Sequence, residues 1–197
     1  MRIIAGKHKG RRIDLGKGAG GAVRPTSDFA REAIFNLLAH GRHGLNGHTF
    51  SGKAVLDVFC GSGALGLEAL SRGAERVMFI DSAREAIASV RQNAERIRED
   101  AVEFLQADAR QLLPSRRGYD LIFLDPPYFG GLLAPALKSL HKSGWIAEGA
   151  LIVAEHDAKE DIKIPEPFSV TDERSYGRAM VKLIIIASDR RERGNPV

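Results

Sequence analysis

Residues 57–66 read Asp57-Val58-Phe59-Cys60-Gly61-Ser62-Gly63-Ala64-Leu65-Gly66, and their reading decides the fold. The apolar run Ala54 to Phe59 predicts a strand, the glycines a turn, and Ala64 to Arg72 a helix. Glycines let a backbone approach a ligand closely, and the amides and dipole of a helix start face it. In an open α/β sheet the ligand crevice lies at the carboxyl ends of the strands. Gly61, Gly63 and Gly66 also satisfy G-x-G-x-x-G, with Asp81 twenty residues past Gly61. A nicotinamide dinucleotide is therefore one candidate occupant, which makes an oxidoreductase an alternative. Asp57 argues against it, because a carboxylate beside the turn repels a pyrophosphate and attracts a cationic amino group.

Downstream, strand and helix alternate. Arg76 to Ile80 is a strand ending at Asp81, and Arg84 to Arg98 a helix with its charges outward. Val102 to Gln106 is a strand before Asp108, and Leu121 to Leu124 a strand before Asp125-Pro126-Pro127-Tyr128. Leu132 to Lys142 is helical, with Pro135 in its first turn, and Leu151 to Ala154 is a buried strand. Such alternation predicts a parallel sheet covered on both faces. The strand-like runs Phe168 to Arg174 and Ala179 to Ala187 are joined only by Ser175-Tyr176-Gly177-Arg178, too short for a parallel crossover. They pair antiparallel. The predicted fold is α/β and Rossmann-like, mostly parallel with a C-terminal antiparallel hairpin.

Upstream, Arg2 to Ala5 and Arg11 to Leu15 flank Lys7-His8-Lys9-Gly10 as a small β-hairpin, and Gly16-Lys17-Gly18-Ala19-Gly20-Gly21 reads as a flexible loop. Asp28 closes a capping segment before a helix from about Phe29 to Ala39, with Ile34, Phe35, Leu37 and Leu38 on its apolar side. The chain has 197 residues, 44% hydrophobic and 27% charged, the balance of a folded protein. Its domains are expected to be a basic hairpin and loop over 1–24, a catalytic domain over 25–190 and a polar tail over 191–197. One cysteine, Cys60, excludes an internal disulfide framework and fits a reducing compartment. No apolar run approaches the ~20 residues of a membrane span, and residues 1–6 turn charged too soon for a secretory signal. The net charge is +4, yet residues 1–24 alone carry +6 and the remainder −2. A basic arm on a mildly acidic body predicts a polyanionic partner docking at one end.

The turn at 57–66 and the terminal hairpin together resemble the S-adenosylmethionine-dependent methyltransferases, whose seven-stranded sheet ends in such a hairpin. The resemblance implies S-adenosylmethionine as cofactor. It places the Asp57 carboxylate near the methionine end, Asp81 on the ribose hydroxyls and Asp108 on the adenine amino group. The implied cofactor set is Asp57, Phe59, Gly61, Gly63, Asp81, Ser82, Asp108 and Ala109. Three acids at three successive strand ends weigh against the reading of each as a loop acid or helix cap.

Asp125-Pro126-Pro127-Tyr128 resembles the D/N-P-P-Y/F/W motif of methyltransferases that act on planar or exocyclic nitrogens. An exocyclic amine is a poor nucleophile because its lone pair is delocalised into the ring. Two acceptors aimed at its hydrogens turn the lone pair toward the methyl group, and the resemblance supplies them as the Asp125 carboxylate and the Pro126 carbonyl. Consecutive prolines fix φ and position the acceptors in advance. Tyr128 offers a flat face for a base, and Phe129 beside it offers another. Water or Asp125 takes the amine proton. Cys60 is read as a packing residue, Trp145 as core, and the histidines show no metal-ligand spacing.

Met1-Arg2-Ile3-Ile4-Ala5-Gly6, Lys9-Gly10-Arg11, Arg24-Pro25-Thr26 and Arg31-Glu32-Ala33-Ile34-Phe35-Asn36 resemble the RsmD family of 16S rRNA guanine-N2 methyltransferases. The likeness continues through both motifs to Tyr176-Gly177 and so spans nearly the whole chain. It implies a bacterial, cytoplasmic enzyme that methylates one guanine of 16S rRNA in a partly assembled small subunit. A one-domain enzyme with a large RNA partner is expected to be a monomer, and no metal is expected. Lys7, Lys9, Arg11, Arg12 and Arg24 are expected on RNA phosphates beside the cofactor site, with Phe129 on RNA and Arg31 bordering cofactor or RNA. An adenine-N6 methyltransferase on DNA or RNA carries the same tetrapeptide and is the nearer alternative.

Overall fold

The computed structural model describes residues 1–15, 28–40 and 50–187. The glycine-rich loop, Arg24, Thr26 and the polar tail lie outside the described residues. The chain orders its elements as α1 (Asp28–His40), β1 (Ala54–Val58), α2 (Ala64–Ser71), β2 (Arg76–Asp81), α3 (Arg84–Ile97), β3 (Val102–Gln106), β4 (Tyr119–Leu124), α4 (Leu133–Lys142), β5 (Ile146–Asp157), β6 (Phe168–Tyr176) and β7 (Ala179–Ile186).

Seven strands form one sheet in the order β3-β2-β1-β4-β5-β7-β6. Every pairing from β3 to β5 is parallel, while β7 runs antiparallel to both β5 and β6. The expected mixed sheet is present. All five residues of β1 are buried, as a central strand covered on both faces requires. Side chains alternate between two cores. Val55, Phe79, Phe123 and Val153 pack with α1, α2 and α3, whereas Leu56, Ile80, Ile122 and Ile152 pack with α4. From β1 the chain turns one way to β2 and the sheet continues the other way to β4, so β1 and β4 flank the topological switch point.

Two elements extend past their expected bounds. β5 spans twelve residues rather than the apolar four, because it already starts at Ile146, opposite Tyr119 of β4, and Glu155, His156 and Asp157 continue it by pairing with Val181, Met180 and Ala179 of β7. The last hairpin turns through Gly177-Arg178 alone, with Tyr176 opposite Ala179 and Gly177 at φ 65°. Trp145 is core as expected, stacked on Tyr119 at 5.8 Å with its indole N–H donating to the Leu113 carbonyl.

At the N-terminus the hairpin is real but slight. Arg2 and Arg12 form a single antiparallel bridge, and the Ile3 and Gly10 amides donate to the Arg11 and Ile3 carbonyls. Ile3 and Ile13 are buried in the core that α1, α2 and α3 share. The carboxylate of Glu68, fully buried in α2, accepts from the Ile4 and Ala5 amides at 2.7 and 3.0 Å and from Arg72 Nε at 2.7 Å. Arg31 of α1 is turned away from solvent. It is fully buried, and its guanidinium donates to the Arg2 carbonyl and the Met1 sulfur, clamping α1 to the hairpin.

Candidate functional site

The residues singled out from sequence converge on the carboxyl edge of the sheet, on both sides of the switch point. Val58 pairs with Ile80 and with Leu124, so Phe59 and Asp125 leave the sheet side by side, one strand from Asp81. Phe59 adopts φ 62°, an unusual left-handed conformation for a bulky side chain, and starts a sharp turn that Gly61 continues at φ 51°. The glycines serve different ends. A Cβ on Gly61 would meet nothing within 4 Å, whereas one on Gly63 would stand 2.2 Å from Val90 Cγ2 and one on Gly66 2.4 Å from the Phe79 ring. Gly63 and Gly66 are thus required by helix-to-sheet packing, and the open backbone is that of Gly61. No side chain caps the start of α2, and the turn faces its first amides.

Asp57 is buried, and its carboxylate accepts the Gly66 amide at 2.8 Å. Burial pushes its carboxyl up to about 8, the Gly66 bond pulls it down in part, and the charge of Asp81 adds to the rise. A cation at the turn would reverse that balance and ionise it. Burial, then the charges of Asp57 and Asp81, raise the Cys60 thiol well above its ordinary value, so it is a packing group rather than a nucleophile. Asp81 holds the turn to the next helix by accepting the Gly61 amide at 3.0 Å and the Ala83 amide at 2.9 Å. A carboxylate has about four lone-pair sites, so capacity for two hydroxyls remains. Ser82 is exposed next to it. Asp108 is bound bidentately by Arg110, whose side chain and backbone N–H hold its carboxyl down at about 2. An adenine amine reaching Asp108 displaces that exposed guanidinium. Ala109 is buried in the second core, where its methyl packs.

An open glycine turn, an ionisable buried acid beside it and accepting acids at the ends of β2 and β3 fit a cofactor with a cationic head, a diol and an exocyclic amine. A pyrophosphate would keep Asp57 protonated, whereas a cation at the turn draws on its charge.

After β4, Asp125 and Pro126 begin a loop that ends in two aromatic rings. The Tyr128 hydroxyl donates to Glu155 Oε1 at 2.8 Å. Burial, Glu155 and the charges of Asp125 and Asp157 push its phenol above the ordinary tyrosine range, so it stays a donor. Phe129 stands at φ 60° and is 61% exposed, and its amide donates to Glu160 Oε1 at 2.7 Å. The two rings are therefore not equivalent, since one is pinned and the other faces solvent. Glu155, Asp157, Glu160 and Arg178 frame this loop and were not singled out from sequence. Glu155 carried a legible signal, as an acid directly after the buried run Leu151 to Ala154, the position class of Asp125.

The basic residues of the hairpin do not share one position. Lys7, Lys9, Arg11 and Arg12 are all exposed. Lys7 and His8, however, bond to Glu99 at 2.6 and 2.5 Å, and the Lys7 amide donates to the carbonyl of Ser71 at the end of α2. Those contacts lie at the opposite pole of α2, about 12 Å along its eight residues from the cofactor turn. The other end of the hairpin approaches the turn, where Asn93 donates to the carbonyls of Asp14 and Ser62 and Arg12 Nε pairs with Asp14 Oδ1 at 3.4 Å. Arg24 lies outside the described residues.

Residues 1–185 match the family described as Conserved hypothetical protein 95. The "Putative rRNA methyltransferase YlbH" of Bacillus subtilis is 38% identical over 189 residues, 90% of this chain and 94% of that one. The "Ribosomal RNA small subunit methyltransferase D" of Escherichia coli is 31% identical over 185 residues, 93% of this chain and 88% of that one. Among solved structures, "Putative methyltransferase yhhF" from Escherichia coli superposes with a TM-score of 0.76 at 31% identity, covering 93% of this chain and 96% of its own.

Proposed function

The chain belongs to the RsmD family, and from that premise we propose that it transfers a methyl group from S-adenosylmethionine to the exocyclic N2 of a guanine in 16S rRNA. The observation that carries the reading is the placement of Asp125-Pro126-Pro127-Tyr128 at the end of β4, in register with the Phe59 turn across the switch point. S-adenosylmethionine, when bound, supplies an electrophilic methyl group on a sulfonium. Asp57 and the Gly61 turn hold its cationic end, Asp81 with Ser82 its ribose, and Asp108 its adenine once Arg110 moves aside.

The Asp125 carboxylate and the Pro126 carbonyl accept the two N2 hydrogens of the guanine and aim the nitrogen lone pair into the turn. The base stacks on the aromatic loop, and holding the amine in line supplies much of the rate. The proton released from nitrogen passes to Asp125 or to water. Lys9, Arg11 and Arg12, with Lys7 at the far end, contact RNA phosphates, which sets affinity and register rather than sequence choice. The partner is 16S rRNA in a partly assembled small subunit in the bacterial cytoplasm. No helix among the described residues is long and apolar enough to cross a membrane.

Calorimetry with S-adenosylhomocysteine and methyl transfer to small-subunit particles test the assignment together. Asp125→Ala is expected to bind the cofactor product as wild type does and to lose methyl transfer. Transfer at the wild-type rate would overturn the role given to Asp125.

A further inference from the structure

Arg178 lies at the tip of the β6–β7 hairpin, far along the chain from the loop after β4, yet the two meet. Its guanidinium carbon stands 5.9 Å from the centroids of both the Tyr128 and the Phe129 rings. Its Nε donates to Asp157 Oδ2, and its side chain is 59% exposed. Asp157 is a fixed anchor. It is fully buried, and its other oxygen accepts the Lys159 amide at 2.9 Å. The Asp157 amide donates to Glu160 Oε2, and Glu160 Oε1 takes the Phe129 amide, so ring, anchor and arginine form one connected unit.

We infer that Arg178 binds a backbone phosphate of the RNA nucleotide whose base reaches Asp125, an inference that rests on the RNA-methylating reading above. Charge supplies the first reason. Asp125, Glu155, Asp157 and Glu160 surround the two rings and would repel a polyanion. Arg178 is a cation that a buried carboxylate and two ring faces hold at that mouth. Geometry supplies the second. A guanidinium has five N–H donors, and the anchor uses one of them. At 5.9 Å the head sits at the outer limit of cation–π contact with both rings, and its side chain is 59% exposed. A nucleotide whose base stacks on this loop carries its phosphate within reach of a cation beside both rings. A planar donor fork suits phosphate oxygens.

The test uses the full chain and a 16S rRNA substrate, with RNA binding and methyl transfer measured separately at several salt concentrations. Arg178→Gln keeps an N–H donor for Asp157 and removes the charge. Arg178→Lys keeps the charge, and thermal unfolding checks that both variants fold. The expected result for Arg178→Gln is an RNA KM raised about tenfold, kcat within about threefold, and a logarithmic salt slope shallower by about one. Arg178→Lys recovers most of the loss, and S-adenosylhomocysteine binding is unchanged in both. Wild-type RNA affinity and salt slope in Arg178→Gln would overturn the inference. So would a change in which base is methylated, since that marks a base-edge contact. If the wild type binds RNA with the Arg178-dependent slope but transfers no methyl, the phosphate contact stands and the proposed reaction fails.

Discussion

The hydroxyl of Tyr128 donates to Oε1 of the buried Glu155 at 2.8 Å, while the neighbouring Phe129 is 61% exposed. Tyr128 therefore stiffens the loop that carries Asp125, and Phe129 presents the accessible aromatic face. Tyr128→Phe removes a donor from a buried carboxylate and should cost about 1–3 kcal/mol in urea unfolding, with methyl transfer largely kept. Phe129→Ala should leave unfolding unchanged and weaken RNA binding by the worth of one stacked base, about 1–3 kcal/mol. The reverse pattern would exchange the two roles.

Asp57 provides a pH signature. Its folded pKa of about 8 lies above the unfolded value of about 3.9, so the native state retains a proton that the unfolded chain has lost between those limits. The stability it contributes is fully present below about pH 4 and is lost as pH rises through about 8. Thermal melts of the cofactor-free protein between pH 5 and 9 should show wild type losing stability relative to Asp57→Asn. A cation at the turn favours the ionised carboxylate, so wild-type affinity for S-adenosylhomocysteine should rise toward pH 8 and Asp57→Asn should lack that rise. Parallel pH profiles for the two proteins would remove Asp57 from the cofactor's cationic end.

Glu68 ties the N-terminal hairpin to the domain through the Ile4 and Ala5 amides and Arg72. Glu68→Ala strands two amides and a guanidinium and should destabilise the protein by about 3–5 kcal/mol. Limited proteolysis should then cut first within residues 1–15. A variant of wild-type stability and cleavage pattern would show that hydrophobic contacts of Ile3 and Ile13 suffice to dock the hairpin.

Periodicity made the strands, the helices and the closing hairpin legible, because burial on two faces leaves apolar runs and a four-residue link forbids a crossover. The acids at the strand ends were legible for the same reason, since each follows an apolar run directly. Docking was not legible. Lys7 reads as a free cation in the chain, and its pairing with Glu99 depends on how the hairpin lies along α2 and α3. Glu68 sits within an apolar helical run; its i,i+4 pairing with Arg72 is visible in the sequence, but the two backbone amides it takes from the hairpin leave no trace in a pattern of side chains. Arg31 did carry a trace, because it shares a helical face with Ile34, Phe35 and Leu38. Arg178 meets Asp157 and the aromatic loop only through β5–β7 pairing, a contact that strand assignment alone does not supply.

The central claim is methylation of guanine N2 in 16S rRNA through Asp125. The most direct measurement is mass mapping of 16S rRNA modifications in a strain lacking this gene, complemented with wild type or with Asp125→Ala. The account predicts that one N2-methylguanine disappears on deletion, returns with the wild-type gene and stays absent with Asp125→Ala. An unchanged modification map, or the loss of a methylated adenine instead, would contradict it.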